Sequence, residues 1–187
     1  MKNLILIIFF SSFLSLVWSQ SGVEVTTNSK ISEVTIQNSF DRISVNAYNI
    51  QAQSKVDELI EYLKIAQNPA NSEELNAQLK SNVQQLFITD ETLLIKQFES
   101  NEFSSNPENW MESLKQSKVK IISADLLNTE MKNSYWIYTY EFRYEVNGKS
   151  KKQKVKIQVF FKPQTKNFGS KRKAVWDLKL GNVIFLE

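Results

Sequence analysis

The sequence predicts an α+β fold, with N-terminal helices packed on a curved antiparallel sheet of four to six strands. Three observations predict it. Between Val56 and Leu114 the apolar residues step by three and four, the period of a helix with one buried face. From Lys118 onward the period drops to two, the period of half-buried strands. Within that second region Asn147-Gly148 separates two alternating segments, the strongest short hairpin signal a sequence offers.

In chain order, Lys2 is followed by an apolar run from Leu4 to Val17 and then by Trp18-Ser19-Gln20. This reads as an export signal, with Val17 and Ser19 at the −3 and −1 positions and Gln20 as the mature N-terminus. The run is shorter than the roughly 20 apolar residues that a membrane crossing needs. Residues 1–19 are therefore expected to be cleaved, leaving no transmembrane segment in the mature chain. Residues 20–35, rich in Ser, Thr and Asn, read as a flexible lead-in to a single domain over 36–187.

Ile36, Phe40, Ile43, Ala47 and Ile50 have helical spacing, yet the Ser, Thr, Asn and Val content also suits a strand over Ile43–Ala47, so both readings stand. Ser54 and Asp57 resemble a capping box opening a helix with Val56, Leu59, Ile60 and Leu63 as its stripe, ended by Asn68-Pro69. Asn71-Ser72 caps the next, with Glu73 and Glu74 in its first turn and Leu75, Leu79, Val83 and Leu86 as its buried positions. Phe87 to Phe98 reads as a short strand or extended link. Pro107 opens a short helix carrying Trp110, Met111 and Leu114. Strands are expected over 118–127, 134–146, 149–162 and 172–180, the last continuing through 183–186 beyond a bulge at Gly181. A two-residue loop at Asn147-Gly148 pairs Trp136 with Val159, Tyr138 with Ile157, Tyr140 with Val155 and Phe142 with Gln153. On the other face it pairs Glu141 with Lys154. The apolar positions of both strands then share one face.

Composition narrows the chemistry. The 187 residues include no Cys and no His, and only four Gly. Disulfides, thiolate nucleophiles, Cys-ligated zinc, imidazole metal sites and histidine-based triads are excluded. Neither G-x-G-x-x-G nor G-x-x-x-x-G-K occurs, and no acidic cluster has the spacing of a calcium loop. No catalytic residue, metal ligand or cofactor is assigned.

The element order, the Trp- and Tyr-rich hairpin and the last strand Ala174-Val175-Trp176-Asp177-Leu178-Lys179-Leu180 resemble the nuclear-transport-factor-2-like superfamily. This is the cone fold of ketosteroid isomerases and polyketide cyclases, and the resemblance spans roughly Ser54 to Glu187. It implies a pocket between helices and sheet, lined by Trp136, Tyr138, Tyr140, Phe142 and Tyr144, with Trp176 and Leu178 added from the last strand. The same aromatics also read as plain core, but three buried tyrosine hydroxyls each need a partner, and a ligand is one source. Enzymes of this fold place a carboxylate in the cone. Here Asp177, Glu141 and Glu145 fall on the outward face, Asp57 and Glu61 lie on the polar side of their helix, and Asp125 is the one strand acid aimed inward.

Charge gives a second lead. From Gln20 to Ser117 there are seven Lys/Arg against 14 Asp/Glu; from Lys118 to Glu187 there are 15 against six. Lys149, Lys151, Lys152, Lys154 and Lys156 crowd one strand, and Lys171-Arg172-Lys173 precede the last. They read either as a patch for an anionic partner or as solvated edge lysines that block aggregation.

The expectation is an exported, periplasmic or extracellular, non-catalytic binding or accessory protein of the cell envelope. It would use the aromatic pocket for a small apolar ligand or the basic strand face for an anionic envelope component. Its alternative is a cone-fold isomerase or dehydratase acting on a small apolar substrate, with Asp125 and a tyrosine as its machinery. Nucleic acid is not expected as a partner, and the sheet offers a face for a homodimer.

Overall fold

In a computed structural model of the chain, the structure describes residue 36 and residues 40–89, 93–169 and 171–186. The export signal and the lead-in lie outside the described residues. Asp41 starts the first helix, α1 (Arg42–Ala66): its carboxylate accepts from the Ser44 N–H at 2.9 Å and from the Ser44 hydroxyl at 3.0 Å. The segment that sequence left open between helix and strand is therefore helical from Arg42 onward, and Ser54 is an exposed mid-helix residue rather than a cap. Once a cap has nucleated the helix, each further residue adds a hydrogen bond, so one good start at Asp41 carries through the weak formers that follow.

The expected stripe Val56, Leu59, Ile60 and Leu63 is buried, whereas Ile43, Ala47 and Ile50 of the preceding run are exposed. The stripe runs through Ala52, Val56, Leu59, Ile60 and Leu63, prolonged toward the N-terminus by half-buried Tyr48 and Val45. Ile43 and Ile50 are exposed at 84% and 61%. They share helical spacing with each other but lie on the face turned away from the sheet.

Helix α2 (Glu73–Leu86) starts at Ser72, whose hydroxyl accepts from the Leu75 N–H at 3.2 Å, and it buries Leu79, Val83 and Leu86. Leu75, in its first turn, stays partly exposed. After α2, Phe87 bridges to Leu180, and the extended link leads into the two short strands β1 (Ile95–Lys96) and β2 (Phe103–Ser104). Helix α3 (Pro107–Gln116), with Pro107 in its first turn and Asn106 as its cap, buries Trp110, Met111 and Leu114.

Four long strands follow: β3 (Lys120–Met131), β4 (Tyr135–Val146), β5 (Lys149–Phe168) and β6 (Lys171–Leu186). The sheet order is β2-β1-β6-β5-β4-β3. The sheet is mixed rather than wholly antiparallel, because β1 runs parallel to β6 through Ile95 and Val183. Asn147 and Gly148 both have positive φ, at 51° and 72°, as a type I′ turn requires. Every expected cross-strand pair of the β4–β5 hairpin is present, from Trp136 opposite Val159 to Glu141 opposite Lys154.

The bulge expected at Gly181 is present as well. Ile157 pairs with Val183 and Val159 with Leu180, so Gly181 and Asn182 together face Gln158. A Cβ on Gly181 would lie 2.3 Å from the Phe160 ring, so only glycine admits that ring.

The inner face of the sheet and the apolar faces of the three helices form one core, in which Trp110, Trp136, Tyr138, Tyr140, Leu59 and Leu180 are almost wholly buried. Among the described residues no helix is long and apolar enough to cross a membrane.

Candidate functional site

The aromatic face comes first, because the hairpin register dictates it. Trp136, Tyr138, Tyr140, Phe142 and Tyr144 alternate inward along β4, and helix α1 crosses above them. These side chains are buried against the helices. Trp136 is 1% exposed, and Phe161 packs on it edge-on at 5.9 Å.

Each tyrosine hydroxyl finds its partner within the chain. Tyr138 donates to the Asn49 side chain at 2.7 Å, Tyr140 to Asp57 at 2.8 Å and Tyr144 to Glu99 at 2.6 Å. Burial holds all three hydroxyls well above the usual tyrosine range, assisted by the negative charge of Asp57 near Tyr138 and Tyr140 and of Glu99 near Tyr144. They stay protonated and serve as structural donors.

Trp176 is half-buried, stacks on Phe161 at 4.5 Å and 15°, and takes Phe40 edge-on at 5.3 Å. It lines a small cleft of about 250 Å³ with Tyr48, Gln51, Ser54, Lys55, Asp177 and Leu178.

The carboxylates depart from expectation in two places. Asp125 faces outward: it pairs with Glu141 across β3 and β4, and Arg143 lies 3.7 Å from it. The bulges of β3 at Ile121/Ser123 and Leu126/Asn128 change which parity faces inward, which simple alternation does not foresee. Asp57, read as lying on the polar side of its helix, is exposed but bends down to the Tyr140 hydroxyl. A carboxylate–tyrosine pair therefore exists, closed in by α1 and the sheet.

The eight basic candidates do not converge on one spot. Strand β5 is 20 residues long, so at about 3.3 Å per residue its two ends lie roughly 60 Å apart. Parity then sorts the cations. Lys152, Lys154 and Lys156 stand on the outer face of the sheet, whereas Lys149 and Lys151 share the parity of the inner face. Lys151 is tied to Glu99, and Lys152 lies 3.0 Å from Glu141. At the far end Lys171 and Lys173 share the outer face with Lys166, while Arg172, opposite Asn167, has the other parity.

The structure adds Lys162 and Lys166 to the outer row, two residues that sequence reasoning passed over. They lie beyond the start of β4, where β5 pairs with β6 alone from Phe161 to Phe168. Their even numbering along an expected strand is the signal that finds them. The outer face of β5 thus carries Lys152, Lys154, Lys156, Lys162 and Lys166 in one line, interrupted by Gln158 and Phe160. Lys162 sits 5.0 Å over the Phe160 ring. Among the described residues no group of acidic side chains is placed to hold a metal ion.

No protein-family model matches the chain, and no curated protein matches it either.

Proposed function

We propose that the chain is an exported, non-catalytic binding protein of the cell envelope that takes an extended anionic polymer along the outer face of β5. One observation carries this reading. Five lysines of one parity form a line about 45 Å long on a single strand, by the rise per residue of extended chain. Lys171 and Lys173 on β6 stand beside its far end.

Solvated lysines also protect sheet edges, and Lys152, Lys162 and Lys166 lie where β5 has a neighbour on one side only, but Lys154 and Lys156 lie where β4 and β6 both flank it and no edge needs guarding. The linear arrangement, three lysines on successive outer positions and two more farther along, suits an extended chain carrying several negative charges. The export signal supports an envelope setting. The tyrosine hydroxyls of the aromatic face are satisfied within the chain, so they call for no ligand between helices and sheet. The isomerase alternative keeps the Asp57–Tyr140 pair as its support, but the two groups are engaged with each other.

Chromatography on immobilised heparin, a linear polyanion, tests the reading. Wild type is expected to bind at low salt, and K154Q/K156Q to elute at clearly lower salt. K149Q/R172Q, which removes the same charge from the other parity, is expected to elute with wild type. Equal shifts for both pairs would reduce the effect to net charge and overturn the proposal, as would absence of binding.

A further inference from the structure

A second basic feature lies away from the β5 row, in a cleft of about 790 Å³ where the C-terminal ends of α1 and α3 meet the start of β3. Lys64, Lys115, Lys118 and Lys120 line it, together with the Gln67 amide, and no carboxylate is among its lining residues. Part of this has an ordinary explanation. Lys64 and Lys115 sit in the last turns of α1 and α3, where cations offset the negative end of the helix dipole. Lys64 is also paired with Glu61 at 2.8 Å, and Lys115 donates to Asn76 at 2.9 Å.

Two details go beyond that explanation. The first is the backbone at Lys118. Helix α3 closes with paired bonds from the Lys118 N–H to the Lys115 carbonyl at 3.2 Å and from the Val119 N–H to the Leu114 carbonyl at 3.3 Å, with Leu114 and Val119 both buried. This is a Schellman ending, and its left-handed position normally belongs to glycine. Lysine occupies it here, with φ 52°, at a backbone cost that glycine would not incur. The second is Gln67. Its Oε1 accepts from the Ile121 N–H at 2.8 Å, which fixes the amide, and its Nε2 is then left buried without a partner. An unmet buried donor is a net local cost.

The disfavoured lysine stands on the cleft itself, a local cost that an anion held there would offset, whereas the Gln67 Nε2 is sealed beneath the cleft floor and serves to fix the start of β3. We propose that this cleft binds a small phosphorylated molecule, its phosphate held by Lys118, Lys120 and Lys64 and its less polar part resting on Leu114, Val119 and Ile121. Lysines and amides without any arginine favour a compact tetrahedral anion over a planar carboxylate, which arginine forks recognise better. The volume suits a ligand of metabolite size.

Titration calorimetry with pyrophosphate tests the site. Wild type is expected to bind, and K118G to weaken binding at least about 5-fold while raising the thermal midpoint, because glycine relieves the left-handed strain. A merely structural lysine would yield the stability gain without the binding loss. K120Q, which leaves that turn intact, is expected to weaken binding similarly, whereas K154Q/K156Q on β5 leaves it unchanged. Phosphatidylcholine vesicles doped with phosphatidic acid form the second arm. Pyrophosphate binding without vesicle binding assigns a soluble phosphate, and vesicle binding displaced by pyrophosphate assigns a lipid headgroup. Binding of neither probe, or full affinity in both K118G and K120Q, overturns the proposal.

Discussion

Glu99 shows how much one surface residue contributes to a buried core. It sits in the tight β1–β2 connection at φ 58° and accepts from Tyr144 on one oxygen and from Lys151 on the other. Those two bonds, the Lys151 bond the larger, hold its carboxyl below the ordinary glutamate value near 4.5. A carboxylate with a depressed pKa contributes stability above its unfolded pKa and loses it as pH falls through the folded value. Stability is therefore expected to drop below about pH 4.5, with a shallower acid limb in E99Q than in wild type. Urea midpoints measured from pH 7 down to pH 3 check this; parallel acid limbs would refute it. The hairpin alternation made the inward direction of Tyr144 legible in the sequence. Its acceptor was not, because Glu99 reaches it from a loop 45 residues away, and the sequence carries no periodic signal for such a contact.

Legibility followed how local the determining contact is at the scale of elements too. The β4–β5 register was readable because the two turn residues fix it without reference to anything else. The start of α1 was not, since Ser54-Asp57 offers a plausible local cap and only tertiary packing selects Asp41 instead. The extension of β5 past Lys162 was also missed: a two-stranded ribbon has no covering layer to impose apolar alternation. In the phosphate cleft, the glycine that normally marks a helix ending is replaced by Lys118, so the motif that shapes it leaves no trace in composition. The bulge at Gly181 permits a direct test. G181A places a methyl group against Phe160 and is expected to cost about 1 kcal/mol by overpacking. The same change in an F160A background is expected to cost little, and a double-mutant cycle in urea measures the difference. Equal costs in both backgrounds would show that the ring is not the cause.

Across the whole molecule, charge and architecture divide at the same point. The segment from Gln20 to Ser117, which contains all three helices, is acidic; from Lys118, where the long strands begin, the chain is strongly basic. The helices cover the inner face of the sheet, so Lys154, Lys156, Lys162 and Lys166 stand on the face that no described helix covers. With no cysteine, the domain has no disulfide to reinforce it and is held by packing. In a host with a functional secretion pathway, intact-mass measurement of the exported product is expected to give a chain beginning at Gln20. A product that retains residues 1–19 would contradict the reading of the N-terminus and remove the envelope setting from the proposed function.

Trp176 stands where the two-stranded end of β5 and β6 leaves the body of the sheet, stacked on Phe161 and half-open to solvent, while Trp110 and Trp136 are sealed in the core. The indoles of the described residues thus divide into two silent references and one sentinel. Trp176 lies on the inner side of the ribbon with Phe40 against its edge, so a shift of the chain entering α1 changes the surroundings of the sentinel alone, and the protein carries an intrinsic optical gauge of how that segment seats on the ribbon. Emission wavelength and quencher access at Trp176 read it without any added label.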